Sequence, residues 1–337
     1  MYNRVAGVTR RTTGFLHIFA ALLLLVAAAA WLQLRGDHAP AALPSPLLSK
    51  YVGPARRLVK MIPSHTTIVT LSNDRYRGRF SELLKCTRSH FGNETWVGMF
   101  ALDDGTLQYF RRAARSGYPT AAELVPSGLN IRTRVLAAKL ALVQAAVDFG
   151  KLTIFLEMDL YFRRDFFRLP PTWFRNHDVV FSAHVHGPEI NYGFFVAWPT
   201  AGSRAFFAAA ASVYVEIDSE EKLDTLSRTC GAFDQKAIDV VLRGCDGVNV
   251  ALCLEECKFL LRSDLRFQKP AVPDLSWALI PDYAVPHWPV FGDRWPPELY
   301  KYASGVHVWS GSGPPDKQIA WAKENFVVSS SCWLEIE

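Results

Sequence analysis

The chain has 337 residues, 50% of them hydrophobic and 20% charged, which suits a globular body with a sizeable core and excludes a disordered one. Its net charge of +5 is mild, and no basic run interleaved with aromatics occurs, so nucleic acid is not an expected partner. The small surplus of cations suits an anionic small-molecule ligand. In chain order, the first element is the apolar run Phe15–Leu34, long enough to cross a bilayer's hydrocarbon core as a helix. Arg4, Arg10 and Arg11 precede it without an acidic residue. This predicts a cytoplasmic tail over 1–14, a transmembrane anchor over 15–34 and translocation of everything beyond. The small residues Ala27–Ala30 keep a cleavable signal peptide open as the alternative, although Trp31, Leu32 and Leu34 extend the run past a usual signal core. Residues 35–60, which include the Pro- and Ala-rich HAPAALPSPLLSK, read as a stem, and 61–330 as the folded domain.

Within the body, Thr66–Ser72 (TTIVTLS) predicts a buried strand, Phe80–His90 a helix, Thr95–Leu102 a strand and Leu107–Ala114 a helix. Ile131–Phe149 predicts a further helix and Leu152–Leu156 (LTIFL) a third buried strand. Strands over Val179–Ala183 and Phe194–Trp198 follow, then helices over Ser203–Val215 and Asp234–Arg243. A late strand, Val306–Trp309, precedes a closing helix, Asp316–Asn325. Strands alternating with helices in the first half imply βαβ units, so the fold class is α/β, with a Rossmann-type, mostly parallel sheet flanked by helices. The cysteines Cys86, Cys230, Cys245, Cys253, Cys257 and Cys332 all follow the anchor, and their even number suggests disulfides of undetermined pairing in an oxidising compartment. Cys253 and Cys257 lack a Cys-x-x-Cys partner or a nearby His, so they read as disulfide or buried thiols rather than metal ligands. Asn93-Glu94-Thr95 is a glycosylation sequon.

The central motif is Phe155-Leu156-Glu157-Met158-Asp159-Leu160-Tyr161, an apolar strand that ends in two carboxylates spaced i, i+2. Residues two apart on an extended segment point to the same side. In open α/β sheets, ligands bind outside the carboxyl ends of strands. Two hard oxygen donors there suit Mn²⁺ or Mg²⁺, and such an ion neutralises a diphosphate. A solvated surface turn is the plain alternative. On the helix over 131–149, Lys139 and Arg132 fall inside the apolar arc of Leu136, Leu140, Val143 and Val147, whereas Arg134 falls outside it. A cation on a buried face needs a partner. A ligand diphosphate or Asp159 would serve, as would a structural acid. His307 ends an apolar strand, as a metal ligand or a satisfied core histidine. Asn191 precedes Gly193, where a backbone bends or approaches something closely, or simply enters a strand. Asp234 stands at a helix start, where an aspartate is a routine cap. His184 and His186 flank Val185 and read as acceptor contacts or plain surface. Gly311-Ser312-Gly313 before Lys317 would bring backbone N–H groups and an ammonium to a phosphate, or would form a flexible turn.

FLEMDLYFRRD resembles the aspartate-x-aspartate region of membrane-anchored nucleotide-diphospho-sugar transferases with a GT-A fold, in particular the family containing plant cell-wall xylosyl- and arabinosyltransferases. Asn191-Tyr192-Gly193-Phe194 resembles that family's Asn-Thr-Gly-Phe strand, and Phe233-Asp234-Gln235-Lys236-Ala237 its Asp-Gln helix start. His307 with Gly311, Gly313 and Lys317 resembles its C-terminal His and downstream basic residue. The likeness runs over roughly residues 60–325, and Glu157 and Tyr192 depart from it. It implies a metal-dependent glycosyltransferase taking a sugar from a UDP-sugar to a glycan or glycoprotein acceptor, anchored in the Golgi membrane with its domain luminal. It implies Mn²⁺ or Mg²⁺ on Asp159, Glu157 and His307. It places the donor against Lys139 and Lys317, to which the apolar-arc reading adds Arg132, and Asp234, Gln235 and Asn191 beside the reacting sugar. The Glu157 departure leaves open a glycan-binding luminal protein without catalysis. A membrane-anchored hydrolase is a poorer fit, since carboxylates two apart on one strand end do not face each other across a bond.

Overall fold

The computed structural model describes residues 45–91, 94–162, 176–183, 190–214, 217–230, 233–243, 271–280, 287–288 and 305–308. Helix α1 (Pro46–Lys60) opens with Pro46 in its first turn, where no backbone N–H is needed, and buries Leu47, Leu48, Tyr51, Ala55, Leu58 and Val59. Residues 46–60 therefore belong to the folded body, which corrects the expected stem over 35–60. The prolines that suggested a stem sit at the helix start and at Pro54, and the helix runs through both. Strand β1 (Thr66–Ser72) is β-branched and buried on both faces, as a central parallel strand requires. A short 3-10 turn (Asp74–Tyr76) leads into α2 (Arg77–Phe91), β2 (Trp96–Ala101), α3 (Asp104–Arg115) and β3 (Thr120–Leu124). Helix α4 (Ile131–Asp148) precedes β4 (Leu152–Leu156) and the short β5 (Leu160–Phe162).

The chain continues through β6 (Val179–Ala183), β7 (Ile190–Ala197), α5 (Ala201–Val213), α6 (Glu220–Cys230) and α7 (Phe233–Arg243). Strands β8 (Trp277–Ile280), β9 (His287–Trp288) and β10 (Gly305–Val308) follow. The main sheet has the order β3-β2-β1-β4-β7-β6-β8. Only β7 runs against the others, since β4–β7 and β6–β7 are antiparallel while the remaining pairs are parallel. The expected mostly parallel sheet flanked by helices is thus present. Alternate strand residues feed opposite cores. Val69, Phe100, Phe155 and Phe195 pack with α1, α4 and α5, whereas Ile68, Val97, Ile154 and Phe194 pack with α2 and α3. A second, three-stranded sheet has the order β5-β10-β9.

Two features position the site. The chain moves from β1 outward to β2 and β3, then crosses back so that β4 lies on the other side of β1. The crevice between the carboxyl ends of β1 and β4 is therefore a topological switch point. Helix α4 makes that crossover and is buried on most of its circumference, not along one stripe as expected, because α1, α5 and the sheet all pack against it. Among the described residues no helix is long and apolar enough to cross a membrane. The expected anchor over 15–34, the sequon at Asn93, His184, His186, Lys317 and the closing helix over 316–325 lie outside the described residues.

Candidate active site at the sheet switch point

A cavity of about 170 Å³ opens at this switch point. Leu71, Ser72, Asn73 and Tyr76 line it from β1 and the turn after it, Ile131 and Val135 from the start of α4, and Phe155, Glu157, Met158 and Asp159 from the end of β4. Glu157 and Asp159 therefore share one cavity, but on a turn in which the intervening Met158 lines it too, not on the extended segment that the i, i+2 spacing presumed. The backbone turns tightly there: Glu157 N donates to Gly193 O at 2.8 Å, and Leu160 N donates to Glu157 O at 3.1 Å. Gly193 lies within β7, and the Glu157–Gly193 bond continues the antiparallel β4–β7 ladder, in keeping with the plain strand alternative.

Lys139 lies behind the cavity with its side chain only 2% exposed. Its Nζ donates to Glu157 Oε1 at 2.8 Å and lies 3.0 Å from Asp234 Oδ2. It also sits 4.2 Å from the Tyr192 ring centroid and 4.9 Å from that of Phe155. Burial opposes the ammonium charge, but Asp234 and Glu157 outweigh it and hold the Lys139 pKa above its ordinary value. Its partners are thus Glu157 and Asp234; of the three expected partners, Asp159, a diphosphate or a structural acid, the last is the one present. Glu157 is 38% exposed and reaches both Lys139 and the cavity, whereas Asp234 is 5% exposed. Helix α7 begins at Phe233, so Asp234 lies inside its first turn and is not the cap residue. Its carboxylate binds the lysine, not the orphan amides of the helix end. Gln235 Oε1 accepts from Tyr192 N at 3.3 Å, and Asn191 Oδ1 accepts from Gly193 N at 2.6 Å. Asn191 lies within β7, so the strand begins earlier than the expected Phe194.

Tyr192 is buried, stacked on Phe195 with centroids 4.8 Å apart, and does not line the cavity. Burial and the nearby Asp234 and Glu157 charges push its phenol well above the usual range. Arg132 is turned away from the cavity: its Nη2 donates to Ser227 O on α6 at 2.5 Å. Arg134, which falls outside the apolar arc, instead donates to the carbonyls of Pro126, Leu102 and Val125 and so holds the loop before α4. The backbone of His307 pairs with Leu160 on one side and with His287 on the other. The late strand therefore runs directly beside the acidic turn, and His287 joins it without any signal in the sequence. Asn73 and Tyr76 were also missed, although the switch-point rule applied to the end of β1 would have found them. Arg79 and Arg134 act on backbone carbonyls, and no pattern in the sequence marks such contacts.

Two carboxylates on one cavity match the hard oxygen donors that Mn²⁺ and Mg²⁺ take. Among the described residues no group of three or more His, Cys, Asp or Glu could hold a metal ion. A two-carboxylate site still fits these ions, whose remaining positions are commonly filled by water and substrate phosphates.

No family model matches the chain, and no curated protein is similar to it. Among solved structures it is similar to the glycosyltransferase GlyE of Streptococcus pneumoniae TIGR4, at 10% identity and a TM-score of 0.41, over 78% of this chain and 61% of that one. It is also similar to the galactosyltransferase LgtC in complex with donor and acceptor sugar analogs, at 11% identity and a TM-score of 0.39, over 79% of this chain and 98% of that one. The chain thus spans less than two thirds of the GlyE structure.

Proposed function

We propose that the chain is a metal-dependent glycosyltransferase with a GT-A-like fold that moves a sugar from a nucleotide-diphosphate donor, a UDP-sugar, to a glycan or glycoprotein acceptor. We further propose a single-pass type II protein of the Golgi membrane, anchored over 15–34. One observation carries the reading: Glu157 and Asp159 face a cavity at the sheet switch point, backed by a buried lysine that joins Glu157 to Asp234. The apolar wall of Leu71, Ile131 and Val135 suits a flat nucleoside, and the acidic end suits a diphosphate with its cation. Asp159, with Glu157 in support, would hold the Mn²⁺ or Mg²⁺, and His307 is the candidate third ligand. Such an ion, when bound, offsets the charge that develops on a departing diphosphate. Lys139 holds Glu157 and Asp234 at a fixed separation. In this reading the Asp234–Gln235 corner of α7 would lie near the reacting sugar, although neither residue lines the cavity, with Asn191 tightening the adjoining strand and Lys317 proposed for the phosphates. A thermal-shift panel of UDP-, GDP- and CMP-sugars with and without Mn²⁺ tests the reading, because a ligand of the folded state raises Tm by mass action. Stabilisation by a UDP-sugar only with Mn²⁺ is expected; no shift with any nucleotide would overturn it.

A second reading has one observation in its favour. Glu157 Oε1 is held by Lys139, which weakens this carboxylate as a metal ligand and suits a glycan-binding protein without catalysis. Binding of oligosaccharide without any binding of UDP and Mn²⁺ would favour it.

A further inference from the structure

Arg79, on α2, is a buried arginine that the preceding reading leaves without a role. Its Nε and Nη2 donate to Glu82 at 2.8 and 3.2 Å, within a pair whose side chains are each 3% exposed. The outer edge of the guanidinium is turned to the acidic turn. Nη1 donates to Met158 O at 2.6 Å and Nη2 to Leu160 O at 2.9 Å. These two carbonyls bracket Asp159. The fork fixes the 158–159 peptide before Asp159 and the 160–161 peptide beyond it, while Leu160 N donating to Glu157 O at 3.1 Å holds the 159–160 peptide between them, and together these bonds set the direction in which the Asp159 side chain leaves the backbone. Lysine has no such fork and reaches a single point. The same stretch of chain carries Asn73 and Tyr76 on the cavity wall, so the clamp and that wall are built from continuous structure. An ion pair that served only the packing of α2 would not need both carbonyls.

We propose that Arg79, held in orientation by Glu82, is a positioning residue that aims the Asp159 carboxylate into the cavity. The proposal rests on the donor site described under Proposed function and adds to it the element that preorganises its acidic end.

The test uses two variants of the full chain. Arg79→Lys keeps the charge and loses the fork. The double variant Arg79→Met with Glu82→Met removes the clamp and the buried pair together, and paired removal of buried charges is commonly tolerated by the fold. Three quantities are read: Tm, hydrogen–deuterium exchange of the ligand-free protein over 157–162, and UDP affinity in Mn²⁺. In the double variant, Tm is expected to stay near wild type while exchange over 157–162 rises on the order of tenfold and exchange over 96–101 is unchanged. UDP affinity in Mn²⁺ should fall about 10–100-fold, with Arg79→Lys intermediate. Unchanged exchange over 157–162 overturns the proposal, as does raised exchange with wild-type UDP affinity. If the wild-type protein itself binds no UDP with or without Mn²⁺, the donor reading fails, and the exchange measurement alone decides for or against the clamp. Should the double variant not fold, Arg79→Lys carries the same readings.

Discussion

Two buried charge clusters sit on helix α4, and they are built in opposite ways. Near the middle of the helix, one ammonium (Lys139) serves two carboxylates, Glu157 and Asp234, and the group opens onto a cavity. Toward its N-terminus, one carboxylate (Glu220) is surrounded by donors. Lys50 Nζ lies at 2.6 Å, Tyr51 OH at 3.1 Å and Thr133 Oγ1 at 3.5 Å, with the Leu129 amide also donating. The second cluster uses up its charge and ties α1, α4 and α6 together. The first carries one more negative than positive charge beside a cavity, an arrangement that a cationic ligand or a metal-bound diphosphate would complete. Excess charge facing a cavity marks a site, and a saturated cluster marks framework.

The largest effect that sharpens this contrast belongs to Asp159. Asp159→Asn keeps the shape and removes the charge, so Mn²⁺-dependent turnover should fall by about 100-fold or more while Tm barely changes. Turnover near wild type at saturating Mn²⁺ would remove the metal from the scheme. Next comes Lys139→Met, which leaves Asp234 buried without its cation. Its stability should drop by about 3–5 kcal/mol, and adding Asp234→Asn should restore much of it. A denaturant melt of both variants checks this, and an undiminished single variant would mean the triad is not what holds α7 to β4. Glu220→Gln should cost about 1–3 kcal/mol and leave UDP affinity unchanged. A change in UDP affinity in that variant would break the division between site and framework.

The framework cluster also has a pH signature. Burial alone would raise the Glu220 pKa, but hydrogen bonds from Lys50, Leu129 and Tyr51 lower it below the ordinary carboxylate value. A depressed native pKa contributes stability that is present above the unfolded value and lost as pH falls through the native one. Wild type should therefore lose stability in acid more steeply than Glu220→Gln, measured by Tm against pH below the ordinary carboxylate range. The Lys139 shift has the opposite sense: its pKa is raised, so its contribution is complete below the ordinary lysine value and fades only in strong alkali. The smallest effect is Tyr192→Phe. The Tyr192 hydroxyl is buried with no hydrogen-bond partner among the described residues, so its removal should be neutral or stabilising by about 1 kcal/mol. A clear loss of stability would show that the hydroxyl has a partner after all.

What the sequence disclosed follows from which contacts leave a pattern. Strand β4 with its acidic end was legible because an apolar run stops abruptly at Glu157 and Asp159. The apolar arc of α4 included Lys139, which is buried, but also Arg132, which is exposed, and it gave no sign of the partners of Lys139. Glu157 and Asp234 meet Lys139 only because β4 and α7 converge on α4, and no local period encodes that. Helix α1 was hidden by Pro46 and Pro54, which read as linker composition, while its buried spacing at Tyr51, Ala55, Leu58 and Val59 is evident once the helix is known. Strand β3 (TAAEL) escaped because two alanines and a glutamate carry little strand preference, and its parallel pairing to β2 decides the matter.

Strand β5, immediately after Asp159, takes its pairing from Gly305–Val308, nearly 150 positions later. During synthesis, β2 and β4 can already lie beside β1, and β3 beside β2, while the ribosome has yet to make this distant stretch. Until it emerges, the strand flanking the acidic turn presents an open edge of the kind that recruits foreign strands. The N-terminal part of the sheet can therefore form early, and the region around Asp159 is completed only once residues 305–308 are made.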